Sequence, residues 1–308
     1  MKQISKEQML AVVTEASKRM TEAHYSSELV GAFYDKQTPA CQFITAHEKE
    51  LGGTEAVPEP ARFVKIDRLR LRAAGFIPDE DQERRFADQY RRIKRPMLMQ
   101  VQTLTASHAP GARLILMASA LPGDGKTFTS INLALSMARE RDISVLIVDA
   151  DVAKPHISRI FGIEREPGLL DALANDSIDI ESLVLHTDVP GLSMLSAGHF
   201  HEAATELLAS ARMDQVISRL TARDPRRIVL LDSPPLLLSS ESRALVGIAG
   251  QVALVVCAGK TPRQAVQEAI EYIGPGKPMG LILNQSLLAQ SEGYYGYGAY
   301  GDNQAPSG

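Results

Sequence analysis

Ala118-Ser119-Ala120-Leu121-Pro122-Gly123-Asp124-Gly125-Lys126-Thr127 is the stretch that decides how this 308-residue chain is read. An apolar run, Leu114–Met117, leads into it, and a helical pattern, Phe128–Arg139, leads out. A loop that binds phosphate must turn backbone N–H groups inward, and Gly123 and Gly125 permit the dihedrals this takes. A helix opening near Thr127 adds its positive end to the same place. Lys126 can then reach the β and γ phosphates of ATP, and the Thr127 hydroxyl can ligate Mg²⁺. The expected nucleotide-binding set is Gly123, Asp124, Gly125, Lys126, Thr127 and Phe128. One departure stands out: the usual loop opens with Gly, and this one opens with Ala120.

Outward from the loop, short apolar runs alternate with helical patterns. The runs are Leu114–Met117, Val145–Val148, Ile228–Leu231, Val252–Val256 and Leu281–Leu283; the helical patterns include Met213–Arg223 and Arg263–Ile273. Runs that are apolar throughout, rather than alternating, belong to strands buried on both faces. The expectation is therefore an α/β fold of the P-loop NTPase kind, a mostly parallel sheet with helices on both faces. Its ATP-binding domain is expected over 106–288. Before it, 61–105 reads as a basic helical segment suited to a subunit contact. Pro96 is expected to limit that helix, because the residue before a proline is pushed away from helical geometry. Residues 1–60 read as a helix, Lys6–His24, followed by a linker; 289–308 read as a flexible Tyr/Gly-rich tail.

ATP chemistry needs carboxylates at the carboxyl ends of parallel strands. Val145-Leu146-Ile147-Val148-Asp149-Ala150-Asp151 offers two, and Ile228-Val229-Leu230-Leu231-Asp232 a third. A single Asp after a strand is most often a cap or turn residue. Three of them on strand ends beside a phosphate loop point to function. Asp149, Asp151 and Asp232, with Thr127, are the candidate metal ligands, and with Lys126 the candidate catalytic groups.

Composition narrows the partners. A net charge of -4 gives no global attraction to nucleic acid, and none is expected as a partner. The first residues carry no signal-like apolar stretch, and no run approaches the roughly 20 apolar residues a membrane span needs. The two cysteines, Cys41 and Cys257, match no metal or redox spacing. His199-x-His201 has a spacing that can bind metal, but reads as a surface loop. Thr205-Glu206-Leu207-Leu208 reads as a capped helix start.

Taken together, these motifs resemble the bacterial tyrosine kinases of exopolysaccharide systems. The matching features are Pro122–Thr127, the strand ending in Asp149 and Asp151, and the strand ending in Asp232-Ser233-Pro234-Pro235. Ala258-Gly259-Lys260-Thr261 and Gly280-Leu281-Ile282-Leu283-Asn284 also look like the family, with Asn284 implied as an adenine contact. So does the cluster Tyr294, Tyr295, Tyr297 and Tyr300, four of the eight tyrosines. Gln89–Pro96 with Met97-Leu98 looks most like the autokinases of exosortase-associated systems.

The resemblance implies ATP-dependent autophosphorylation of those four tyrosines, with Mg²⁺ as cofactor. Either Asp149 or Asp151 would take the phenolic proton, whose ordinary pKa is near 10. From Asn284 to Tyr297 the extended reach is roughly 40 Å, enough for the chain's own site or a neighbour's. The implied partners are an integral-membrane chain-length (co-polymerase) protein as activator, further copies of this chain, as a homo-oligomer and possibly a ring, and a cognate tyrosine phosphatase. The implied location is cytoplasmic, peripheral at the inner membrane through that partner.

Two positions depart from the pattern. Ala153 stands where the family has Arg, and a subunit-contact motif survives only as Asp88-x-x-Arg91-x-x-Lys94, in which Lys lacks the two-pronged geometry of Arg. Two other readings fit the loop. A partitioning-type ATPase switch would carry a second lysine at the position of Leu121. A nucleotide-binding regulator without transfer activity would be consistent with Ala153.

Overall fold

Six residues in succession, Leu-Ile-Leu-Met-Ala-Ser, are fully buried in the strand that precedes the phosphate loop, so both faces of that strand are covered. The computed structural model describes residues 62–79 and 81–285 and shows why. Among these residues eight strands form one sheet: β1 (Phe63–Val64), β2 (Leu114–Ser119), β3 (Ser144–Asp149), β4 (Leu185–Thr187), β5 (Leu192–Leu195), β6 (Arg227–Asp232), β7 (Gln251–Cys257) and β8 (Met279–Asn284). Their order is β1-β4-β5-β3-β6-β2-β7-β8. Every pairing is parallel except β4 with β5. The five expected strands are present, each longer than its apolar run; β1, β4 and β5 were not foreseen.

Nine helices cover the sheet among the described residues: α1 (Arg68–Ala73), α2 (Glu83–Ala106), α3 (Lys126–Met137), α4 (His156–Phe161), α5 (Leu169–Ala174), α6 (Ala204–Leu208), α7 (Ala211–Ala222), α8 (Glu241–Ile248) and α9 (Arg263–Ile273). Period-2 alternation assigns each strand side chain to one of two cores. Leu114, Leu116, Leu146, Val148, Val229, Leu231, Val252 and Leu254 pack under α5, α7, α8 and α9. Ile115, Met117, Val145, Ile147, Ile228, Leu230, Ala253 and Val255 pack with α2, α3 and α4. Two covered faces make a nearly all-parallel sheet stable. Among the described residues no helix is long and apolar enough to cross a membrane.

Two expectations for 61–105 need correction. Helix α2 does not stop at Pro96; it runs through it for 24 residues. Pro96 and Arg92 are both exposed, so the Arg92 carbonyl that loses its helical partner faces water, while buried Tyr90, Met97 and Val101 hold the helix in place. Nor does the segment stand apart from the domain that follows it. Phe86, Tyr90, Met97 and Val101 share a core with Ile131 and Leu133 of α3. Lys94, expected to end a subunit-contact motif, is buried; its ammonium donates to the Ser136 carbonyl at 2.7 Å and pairs with Glu140 at 2.6 Å. Only Asp88 and Arg91 of that motif face outward, as a 2.5 Å ion pair.

The expected helix Lys6–His24, Cys41, and the tail with Tyr294, Tyr295, Tyr297 and Tyr300 lie outside the described residues.

Candidate active site

The sheet order brings the candidate residues together. Strand β6 lies between β3 and β2, with Asp232 level with Asp149 on one side and with Met117 on the other. Three adjacent strand ends therefore meet at one point: the phosphate loop after β2, Asp149 and Asp151 after β3, and Asp232 ending β6. Carboxyl ends of parallel strands are where open α/β sheets bind ligands.

Asp232 is the hub. It is fully buried, and its Oδ1 lies 3.0 Å from the Lys126 ammonium. The Ser130 hydroxyl donates to the same oxygen at 2.8 Å, and the Thr127 hydroxyl donates to Oδ2 at 2.9 Å. A buried charge is tolerable when it is paired and its remaining lone pairs are met, and both conditions hold here. Ser130, one turn along α3 from Lys126, was not anticipated; its only signal was helical spacing.

Asp149 is held differently. Its Oδ2 accepts both the backbone N–H and the hydroxyl of Ser158 at 2.8 Å. Its Oδ1 is buried and has no hydrogen-bond partner among the described residues. Burial, helped by the neighbouring Asp232 charge, pushes its pKa up to about 7, against the pull of Ser158 and Lys126. Asp151, 7% exposed, accepts from the Lys154 backbone N–H at 3.2 Å. Burial raises its pKa too, with Lys126 pulling the other way.

The loop takes the expected shape. Gly123 and Gly125 have φ of +84° and +88°, values an L side chain resists. Ala120 has no positive φ and is buried under the loop, which explains how Ala replaces Gly there. Lys126, Thr127 and Phe128 open α3, whose first backbone N–H groups have no helical acceptor and face the loop. Phe128 and Asn284, the second implied as an adenine contact, have side-chain partners within the protein. The Phe128 ring packs edge-on against Phe86 at 6.4 Å, so only its backbone serves the loop. The Asn284 amide donates to the Asp124 carbonyl at 3.0 Å, so it is bonded to the loop itself.

These residues fit a magnesium ion. Mg²⁺ is usually held by one or two carboxylates with substrate phosphates completing the shell. The buried, unpartnered Asp149 oxygen beside Asp232 and Thr127 is a donor set of that kind. When Lys126 turns toward a triphosphate, Asp232 keeps only two hydroxyl donors while facing Asp149 and the phosphates. Removing Mg²⁺ with EDTA is therefore expected to weaken ATP binding by at least about 10-fold. Calorimetry with and without the metal measures this, and equal affinities would refute the argument.

Elsewhere, His199 pairs with Asp171 at 2.8 Å and His201 accepts the Ala203 N–H, both on an exposed loop. Thr205 does not cap α6 as expected; its hydroxyl donates to Glu241 at 2.7 Å, tying α6 to α8. Ala153 is exposed on the turn after Asp151.

Comparison with known proteins supplies the lineage. Residues 112–275 match the family model described as an AAA domain. The putative tyrosine-protein kinase EpsB of Ralstonia nicotianae is 35% identical over 191 residues, covering 61% of this chain but 25% of EpsB. The tyrosine-protein kinase YwqD of Bacillus subtilis is 31% identical over 186 residues, 59% of this chain and 77% of YwqD. The kinase domain of the Escherichia coli tyrosine kinase ETK superposes with a TM-score of 0.57 at 25% identity, over 70% of this chain and 81% of that one. The phosphate loop, the carboxylates on neighbouring strand ends and these likenesses agree: the chain belongs to the AAA-domain family and, within it, to the bacterial tyrosine kinases.

Proposed function

We propose that this chain is an ATP-dependent protein-tyrosine kinase that phosphorylates Tyr294, Tyr295, Tyr297 and Tyr300 of its own C-terminal segment. The observation that carries the reading is the convergence of Lys126, Thr127, Asp149 and Asp232 on one point. In the transfer, a tyrosine oxygen bonds to the γ phosphorus as the bond to the bridging oxygen breaks, and ADP leaves. Lys126 and the loop amides neutralise charge on the phosphoryl group. Asp149, one oxygen locked by Ser158 and the other buried beside Asp232, belongs with Thr127 and Asp232 on the metal side. Asp151 takes the phenolic proton; burial raises its pKa above the ordinary value, which strengthens it as a base. Bound Mg²⁺ would supply charge neutralisation between the phosphates.

The motif resemblance supports a wider setting for this activity: regulation of exopolysaccharide synthesis or export, in an exosortase-associated system. There the kinase would sit in the cytoplasm at the inner membrane, activated by an integral-membrane chain-length protein, assembled as a homo-oligomeric ring and reset by a tyrosine phosphatase.

The test is incubation of the purified chain with Mg·ATP, probed for phosphotyrosine. A Lys126→Met chain and a chain with Tyr294→Phe, Tyr295→Phe, Tyr297→Phe and Tyr300→Phe together serve as comparisons. Signal in the natural chain that is lost in both variants is the expected result. ATP turnover without phosphotyrosine would point to a switch ATPase instead.

A further inference from the structure

The phosphate loop is gripped from the far side of the sheet as well as from β2. Asp124, at the crest of the loop, is 4% exposed. Its Oδ2 accepts the Leu121 N–H at 3.1 Å, closing the loop on itself. Its Oδ1 accepts the Thr261 hydroxyl at 2.6 Å. That hydroxyl in turn accepts the Cys257 N–H at 2.9 Å, which leaves its proton aimed at Asp124. The Asp124 backbone carbonyl accepts the Asn284 amide at 3.0 Å. Cys257 and Asn284 are level on β7 and β8, and the Ala258 N–H donates to the Asn284 carbonyl at 2.8 Å. One braced edge of the sheet thus holds a single loop residue by side chain and by backbone. The contact is close: a Cβ on Gly125 would lie 1.9 Å from the Asn284 nitrogen.

We propose that Thr261 and Asn284 are positioning residues, a two-point clamp on Asp124 that sets the loop's affinity for phosphate. Asn284 acts here on the loop backbone. The proposal rests on the reading of Gly123–Phe128 as the ATP site. A loop whose N–H groups are already aimed loses less freedom on binding, so releasing either point weakens every ligand that presents a polyphosphate.

The test uses the full chain, with Mg·ATP and magnesium tripolyphosphate as probes. Thr261→Val and Asn284→Ala are each expected to weaken binding of both probes by about 10-fold, the scale of one hydrogen bond to a charged or tightly held group. Thr261→Ser is expected to restore binding. Adding Thr261→Val to Asp124→Ala should cost no more than Asp124→Ala alone, because both remove the same contact. In kinase assays KM for ATP should rise while kcat stays within about threefold, because the loop's grip acts before the transition state. Unchanged affinity in Thr261→Val, or an Asn284→Ala chain that loses ATP but keeps tripolyphosphate, overturns the clamp. A natural chain that binds neither probe overturns the ATP-site reading itself, which the other outcomes leave intact.

Discussion

Lys126→Met will lower tyrosine phosphorylation by at least about 100-fold, the scale on which a charge-stabilising donor is usually missed. The same change will make the nucleotide-free protein less stable. In the natural chain the Lys126 ammonium, 7% exposed, neutralises a carboxylate with no exposure at all. Methionine fills the volume but leaves Asp232 with two hydroxyl donors and Asp149 as its neighbour. Removing one partner of a buried pair costs about 3–5 kcal/mol while the other stays charged. Phosphotyrosine detection and thermal melts of the nucleotide-free chains check both halves. Activity near that of the natural chain would remove the basis for placing phosphates at Lys126.

Asp149→Asn will move activity and stability in opposite directions. Activity falls by at least about 100-fold, because the metal side of the site loses a charge that no neighbour replaces. Stability rises, and the sign follows from the shift. Asp149 has a folded pKa of about 7 against an ordinary value of 3.8. Between those values the folded chain holds a proton that the unfolded chain has released, so stability falls as pH rises. The penalty is absent below the ordinary value and complete above about pH 7. Asparagine never ionises, its oxygen can still accept from Ser158, and its amide can turn toward Asp232. In EDTA the variant should exceed the natural chain by on the order of 2–4 kcal/mol at pH 8 and by little at pH 4. A difference that does not grow with pH would contradict the burial argument.

The parts of this protein that could be read from its sequence are those written in local pattern. Fully apolar runs announced β2, β3, β6 and β7, because strands covered on both faces need no polar side; the run Leu281–Leu283 announced β8, an edge strand that is only partly buried. Glycines at 123 and 125 announced the loop, and acids ending apolar runs announced Asp149 and Asp232. Strand β4 was illegible: three residues, of which His186 is exposed, carry no periodicity. The course of α2 was obscured by Pro96, since solvent exposure of the freed carbonyl is a tertiary fact. Ser130 was missed, and Thr261 was noted only within Ala258–Thr261 without a role, for the same kind of reason. Each acts through a partner far along the chain, Thr261 across 137 residues, and only the sheet order brings the pair together.

That order also dictates when the site can exist. Strand β2 lies between β6 and β7, both later in the chain. A ribosome that has finished the phosphate loop has made a strand with two open edges and nothing to fill them. Thr127 waits 105 residues for its carboxylate. Pairings so distant form slowly and leave apolar edges uncovered meanwhile. The stretch that binds phosphate is thus among the first parts of the domain to be synthesised and among the last to be enclosed.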